Sequence, residues 1–292
     1  MSELKQQVLK LIREYVKSGR QLDEEYIMEL FRLIVRYRRL EEYFKIGDEI
    51  FRYGLKGLAG YCQIDKTLTI NPNKLAVGID EAEKVFESYG IPTEYVSFIT
   101  TIELLIHESE HAMHMKELDS PDGSLRNRIL AVAYQLIRFE SLTSEELSRL
   151  SPEELSQYRQ KERTYDLYLE YHDFAPEERL AHLQSYGFVA DIIRGLNCLD
   201  GGKQAHFEYR YRYWAMERLL ENYEKLYDLN PTDCYFTLLD CDKLDLSLRR
   251  VRSFTLKERF ELGVPITRRE LKRLEGVKDC LEKRLSLYEK TR

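Results

Sequence analysis

The sequence contains few of the residues that interrupt helices or staple small secreted folds. Its 292 residues include only 14 Gly, 7 Pro and 5 Cys. This low Gly and Pro content excludes a collagen-like or low-complexity chain, because both depend on those residues. The cysteines are odd in number, widely spaced and never arranged as a CxxC pair. That pattern indicates reduced thiols inside a cell rather than a disulfide framework.

Long hydrophobic runs are also missing from the sequence. No stretch approaches the roughly 20 apolar residues that a helix needs to cross a bilayer. The first residues mix acids and bases along an amphipathic helical pattern and lack the apolar core of a secretory signal. We therefore expect a cytoplasmic protein without a membrane partner.

Helical periodicity dominates the remaining sequence, which is 43% hydrophobic and 33% charged. It predicts a mainly α (α+β) fold with a small β-hairpin or sheet. The hairpin is expected over residues 59–72, with a turn at Asp65-Lys66. Two short capped helices are expected to begin at Ser144 and Ser151. The longer predicted helices cover residues 2–18, 23–44, 79–89, 92–117, 124–140 and 203–228.

An HExxH motif lies inside the helix predicted over residues 92–117, with His107, Glu108 and His111 as its defining residues. On an α-helix, four residues advance by about 400° and about 6 Å, so both imidazoles project from one face. They can therefore share one metal ion at about 2 Å each. The motif predicts a Zn²⁺ site on this helix.

Glu108 is the candidate catalytic residue of the motif. It lies one residue after His107, which places it beside the metal rather than on it. Its carboxylate can take a proton from the attacking water and later deliver that proton to a leaving group. The alternative is that both histidines are ordinary core residues, because an apolar face through Val96 and Ile106 predicts a long buried helix.

A third metal ligand is expected downstream, because catalytic zinc sites usually have three protein ligands and a water. Glu178 is the best candidate and Glu177 the second choice. Asp173 can cap the helix that carries them, and Pro176 suits its first turn. Acids at helix starts commonly have no ligand role, so that alternative stays open.

The HExxH motif followed by Glu178 and Ala181 resembles the gluzincins, zinc metallopeptidases whose third ligand is the Glu of an ExxA sequence on a second helix. The resemblance covers roughly residues 55–195. It implies a zincin-like metallopeptidase core, Glu178 as the third ligand, and a peptide or protein substrate that can pair with an edge strand of the sheet. The hairpin before the motif also looks gluzincin-like.

The rival metzincin pattern has Gly and His where this chain has His114 and Glu117. Without the Gly the helix should continue, which would place Glu117 about 15 Å along the axis from His107, too far to share its metal. His114 is expected beside the ligands or on the surface, but not as a ligand. Donors to the oxygen of the scissile carbonyl remain open, with His182, Tyr171, Tyr186 and His206 as candidates.

Three regions are expected: an N-terminal helical region over 1–54, the zincin-like core over 55–200, and a C-terminal helical subdomain over 203–292. The glycines between Gly195 and Gly202 indicate the last boundary. Residues 243–292 contain 15 Lys and Arg against 8 Asp and Glu, a net charge of +7. Such asymmetry can mark an interaction segment.

A helix-turn-helix pattern lies within this basic segment, between Thr255 and Arg273. It supports an alternative function, a non-catalytic metal-stabilised regulatory or interaction protein that binds DNA through residues 243–292. Interleaved glutamates weaken that alternative, because they dilute the field that attracts phosphate. A chain with both an HExxH motif and such a module resembles the small intracellular HExxH proteins of mobile elements and phages, which are found beside or fused to helix-turn-helix modules.

Overall fold

The chain is built mainly from α-helices, together with one two-stranded hairpin, which confirms the predicted fold class. The computed structural model describes residues 3–18, 22–45, 50–54, 57–89, 93–120, 124, 127, 130–131, 134, 141–170, 172, 175–199, 205–228, 272, 275–276, 278–280, 282–283 and 286. None of the helices in these ranges is both long and apolar enough to span a membrane.

The helices and strands whose bounds the structure gives include two strands and eight α-helices. The strands are β1 (Ala59–Cys62) and β2 (Thr67–Ile70). The helices are α1 (Glu3–Ser18), α2 (Glu24–Arg38), α3 (Pro72–Ser88), α4 (Val96–Asp119), α5 (Ser144–Ser148), α6 (Pro152–Glu170), α7 (Pro176–Leu199) and α8 (Ala205–Asp228).

Two compact units share these elements. The first contains Met1–Lys116, Ala181–Leu220 and Arg273–Arg292, and the second contains Glu117–Leu180 and Glu221–Lys272. The divisions fall inside α4 and α7, so both helices run unbroken through them. Most of α4 and α7 therefore belongs to the first unit.

Helices α1 and α2 pack as the predicted pair, each with one buried apolar face. The Asp23 side chain accepts a hydrogen bond from the Tyr26 backbone N–H at 2.8 Å and so begins α2 as predicted. The predicted helical end at residue 44 is wrong. Arg39 adopts a left-handed conformation with φ 55°, and the Leu40 backbone N–H bonds to the Val35 carbonyl at 2.9 Å, which ends the helix.

The predicted hairpin is present as an antiparallel pair that joins Ala59 to Ile70 and Cys62 to Thr67. Lys66 in its turn adopts φ 56°, which lets the chain reverse between the strands. Leu68 and Ile70 are buried and belong to the main apolar core. Their alternation with the partly buried Thr67 and Thr69 is the sequence signal that predicts β2.

Asn71 begins α3 directly after β2, with its side chain accepting from the Lys74 backbone N–H at 3.2 Å. The helix therefore begins at Pro72, seven residues before the predicted start. A proline at the first helical position suits a helix start, because its missing N–H has no intrahelical partner there. The weak apolar periodicity of the first two turns hides this start.

Helix α4 is the central helix of the candidate site and runs over 24 residues, 13 of them buried. A 3₁₀ turn over Thr93–Tyr95 precedes it, so the α-helix starts slightly later than predicted. Pro92 lies outside the described residues. The apolar residues that the sequence predicts on the buried face before the motif are part of the main core: Val96, Ile99, Ile102, Leu105 and Ile106.

Two capped helices occur between residues 143 and 170. Thr143 and Glu146 form a capping box at the start of α5. Ser151 plays the same role for α6, where its Oγ accepts from the Glu154 backbone N–H at 3.3 Å. The second helix is not short as predicted, because it continues for 19 residues. Its many Glu, Gln, Lys and Arg residues are good helix formers and let it propagate.

Gly195, the first glycine of the segment predicted as a boundary between Gly195 and Gly202, lies buried inside α7, which continues to Leu199. A Cβ atom placed there would lie 2.4 Å from Leu9 Cδ1. The glycine therefore permits a close approach of α1 to α7 rather than a turn. Residues 200–204 and the helix-turn-helix pattern up to residue 271 lie outside the described residues, as do most of the residues predicted as a helix over 124–140.

Candidate metal centre

His107 and His111 project from α4 with their Nε2 atoms 3.3 Å apart. In tetrahedral zinc sites with Zn–N bonds of about 2.0–2.1 Å, neighbouring ligand nitrogens lie about 3.3–3.4 Å from each other. The two rings have a centroid separation of 5.0 Å and an interplanar angle of 77°. The histidine pair is therefore spaced as two ligands of one ion, as expected from one helical turn.

Glu178 completes a group of three donors with this pair. One ligand atom from each of His107, His111 and Glu178 lies within 4.8 Å of the others. Glu178 lies in the first turn of α7, three residues before the fully buried Ala181 of the same unbroken helix. Two imidazoles and one carboxylate are a donor set of catalytic zinc sites, so the residues present fit the expected ion.

Glu177 and Glu108 are buried, with 1% and 7% of their surface exposed. Neither belongs to the metal-binding group found among the described residues. Glu178, the first choice from the sequence, is thus the acid that the structure brings to the histidine pair. The role of Glu108 as a proton acceptor stays a prediction.

His182 lies on α7 one turn after Glu178, and its ring contacts the ring of His107. The two ring centroids are 4.4 Å apart at 52°. His182 is not in the metal-binding group found among the described residues, so its ring packs against a candidate ligand from outside that group. The ring of Tyr186 stacks against the ring of His182, with the centroids 5.6 Å apart and an interplanar angle of 28°.

Two of the four candidate donors to a substrate carbonyl lie near His107. The ring of His182 contacts that of His107, and the ring of Tyr186 contacts that of His182. Tyr171 and the side chain of His206 lie outside the described residues. His114 is fully buried, with its ring 5.9 Å from that of His111. It thus lies beside a ligand rather than on the surface.

His172 is a residue that sequence reasoning missed. Its Nε2 atom lies 3.2 Å from Oε1 of Glu178. The side chain of His172 is 46% exposed, whereas that of Glu178 is only 6% exposed. His172 precedes α7 and belongs to no periodic pattern, so its only sequence signal is an imidazole six residues before the candidate ligand.

Glu103 is a second residue without a sequence signal, one helical turn before His107. The hydroxyl of Tyr211 in α8 donates a hydrogen bond to its Oε2 at 2.8 Å. Burial raises the pKa of Glu103 to about 7, although the Tyr211 hydrogen bond and the charge interaction with His107 lower it. With this pKa, the Glu103 carboxyl changes between its protonated and ionised forms near neutral pH.

Ionic contacts fix α4 against the end of α2. Arg38 forms a largely buried ion pair with Glu110, the residue just before His111. Further along, Lys116 donates to the backbone carbonyl of Arg39 at 2.8 Å and to that of Arg38 at 3.3 Å. Lys116 thus donates to carbonyls at the end of α2, where backbone carbonyls have no intrahelical donor. These contacts limit rotation of α4 and hold the histidine pair in place.

Comparison with protein-family models, with curated proteins and with solved structures finds no significant match to this chain. The candidate centre is therefore argued from its donor set and its geometry. These define a mainly helical protein with a His, His, Glu group that could hold a metal ion.

Proposed function

We propose that this protein is a zinc-dependent metallopeptidase, with His107, His111 and Glu178 as the metal ligands. The supporting observation is that one atom of each side chain lies within 4.8 Å of the others, on two helices. A histidine pair at ligand spacing on an HExxH helix, together with a third acid, is the arrangement of catalytic zinc sites with an open fourth position.

When bound, zinc would supply a Lewis acid that polarises the scissile carbonyl and lowers the pKa of the attacking water toward about 7. Glu108 is the proposed general base, because it follows a ligand directly in the motif and has a carboxylate that accepts protons. It takes the proton of the attacking water and returns it to the leaving amine nitrogen. The ring of His182 contacts the rings of both His107 and Tyr186, and it is a candidate donor to the scissile carbonyl.

The expected substrate is a peptide or a protein that reaches this centre from solution. That expectation comes from the resemblance of the motif to gluzincins, as does the zincin-like core, whereas the expected cytoplasmic location comes from the lack of a secretory signal pattern and of long apolar runs in the sequence. The hairpin would offer the edge of β1 to an extended substrate chain. Its turn carries the exposed Ile64.

A second candidate function is a non-catalytic regulatory or interaction protein stabilised by the same metal. The observation that favours it is the 3.2 Å contact between His172 Nε2 and Glu178 Oε1. If His172 entered the coordination shell, four protein ligands would close the site and leave no position for water. The basic segment that would bind DNA in this alternative lies largely outside the described residues.

The deciding experiment is the metal content of protein purified without a histidine tag or chelator, measured by plasma mass spectrometry. We expect one equivalent of zinc in the wild type, and its loss or depletion in His111→Ala and Glu178→Ala. Glu177→Ala is the matched control, because it removes the adjacent buried acid and should retain zinc. A folded wild-type protein that takes up no zinc would refute the proposal.

A further inference from the structure

We propose that His172 is a positioning residue that holds the carboxylate of Glu178 ready for the metal. This inference rests on the proposed metal site. The Nε2 atom of His172 lies 3.2 Å from Oε1 of Glu178, within reach of an N–H donor. His172 thus acts on the ion through Glu178 and not as part of the three-donor group.

A buried carboxylate needs such a partner. Only 6% of the Glu178 side chain is exposed, and removing a carboxylate from water is costly unless hydrogen bonds replace the lost hydration. Fixing the side chain also costs conformational entropy. If the side chain becomes fixed only when the metal binds, this cost weakens metal binding. A hydrogen bond from His172 to this carboxylate restricts Glu178 before the ion binds.

The backbone around His172 explains why its imidazole stays near Glu178. The backbone N–H of Ala175 donates to the carbonyl of His172 at 2.9 Å. The carbonyl of Ala175 in turn accepts from the backbone N–H of Arg179 at 2.9 Å. These two bonds connect the turn that begins at His172 to the first turn of α7, so imidazole and carboxylate are held on one local framework.

Two observations favour positioning over direct ligation. His172 is not in the group whose ligand atoms all lie within 4.8 Å of one another, as far as the described residues show. Its side chain is 46% exposed, so it lies at the solvent side of Glu178. Removing an exposed ring creates no large cavity, which makes His172 a suitable residue for substitution.

Zinc affinity tests the inference directly, through competition with a chromophoric chelator. We expect His172→Ala to weaken zinc binding by about 10–100-fold, the usual effect of losing a partner of a metal ligand. His172→Gln should restore much of the affinity, because its amide N–H can donate to the same carboxylate. Lys161→Ala, an exposed substitution on α6, is the control and should bind like the wild type.

X-ray absorption at the zinc edge separates the two roles of His172. Positioning predicts two imidazole ligands in both the wild type and His172→Ala. The loss of one imidazole in the variant would overturn the inference and make His172 a fourth ligand. Wild-type affinity in His172→Ala, combined with zinc loss in Glu178→Ala, would overturn the inference alone. Absence of zinc from the wild type would instead overturn the metal site on which it rests.

Discussion

The hydroxyl of Tyr211 donates a hydrogen bond to Oε2 of Glu103 across 2.8 Å, which joins α8 to the turn of α4 just before His107. Burial raises the pKa of Glu103 to about 7 from an ordinary value of 4.5. Between these two values the folded protein retains a proton that the unfolded chain has released. The stability contribution of Glu103 therefore decreases as pH rises through this window, and the full cost is present above pH 7.

Glu103→Gln should remove this pH dependence, because the amide stays neutral and its oxygen can still accept from Tyr211. Relative to the variant, metal-free wild type should lose about 3 kcal/mol of unfolding free energy between pH 4.5 and pH 8. Urea unfolding of both proteins at several pH values measures the difference, since the two chains differ only at this side chain. Parallel stability curves would show that Glu103 has an ordinary pKa.

Glu108→Gln should retain zinc and lose turnover. Gln cannot accept a proton, and positioned acid–base groups contribute about 10²–10⁴-fold to rate. A peptide-library assay with one equivalent of zinc in each protein measures the loss. Glu81→Gln is the control, because Glu81 is an exposed acid on α3 and is outside the proposed chemistry. Equal hydrolysis by wild type and Glu108→Gln would refute the general-base role.

Two glycines of α7 should respond oppositely to the same substitution. Gly195→Ala should destabilise the fold by about 1–3 kcal/mol, because its Cβ would lie 2.4 Å from Leu9 Cδ1. Gly187→Ala should stabilise it by about 0.5–1 kcal/mol through helix propensity, since nothing lies within 4 Å of its Cβ position. Thermal unfolding of both variants tests the pair. Similar shifts would mean that α1 does not approach Gly195 closely.

Asn71 should contribute to stability through both ends of its amide. Its oxygen caps α3 by accepting from the Lys74 N–H, and its Nδ2 donates to the Tyr53 carbonyl at 3.1 Å. Asn71→Ala should cost about 1–3 kcal/mol. Asn71→Ser keeps a cap oxygen but not the amide donor, so it should recover only part of the loss. Complete recovery in urea unfolding would assign the whole effect to the cap.

The elements that the sequence predicts well are those whose signals are local. The face of α2 follows from apolar spacing, and β2 follows from the alternation of Leu68 and Ile70. The end of α2 was missed because it depends on a left-handed Arg39, a conformation that no local preference indicates. The close approach of Leu9 to Gly195 has no local signal either, because glycine indicates a turn and a close helix contact equally well.

The candidate site divides in the same way. The spacing of His107 and His111 comes from a single helical turn, so the motif is sufficient to predict their shared face. The choice of Glu178 came from a helix-start pattern and a family resemblance, but its distance to the histidines depends on how α7 lies against α4. His172 comes from a segment with no periodic signal, and the helical pattern that contains Tyr211 does not indicate its contact with Glu103, because contacts between distant residues follow from packing rather than from neighbours in the chain.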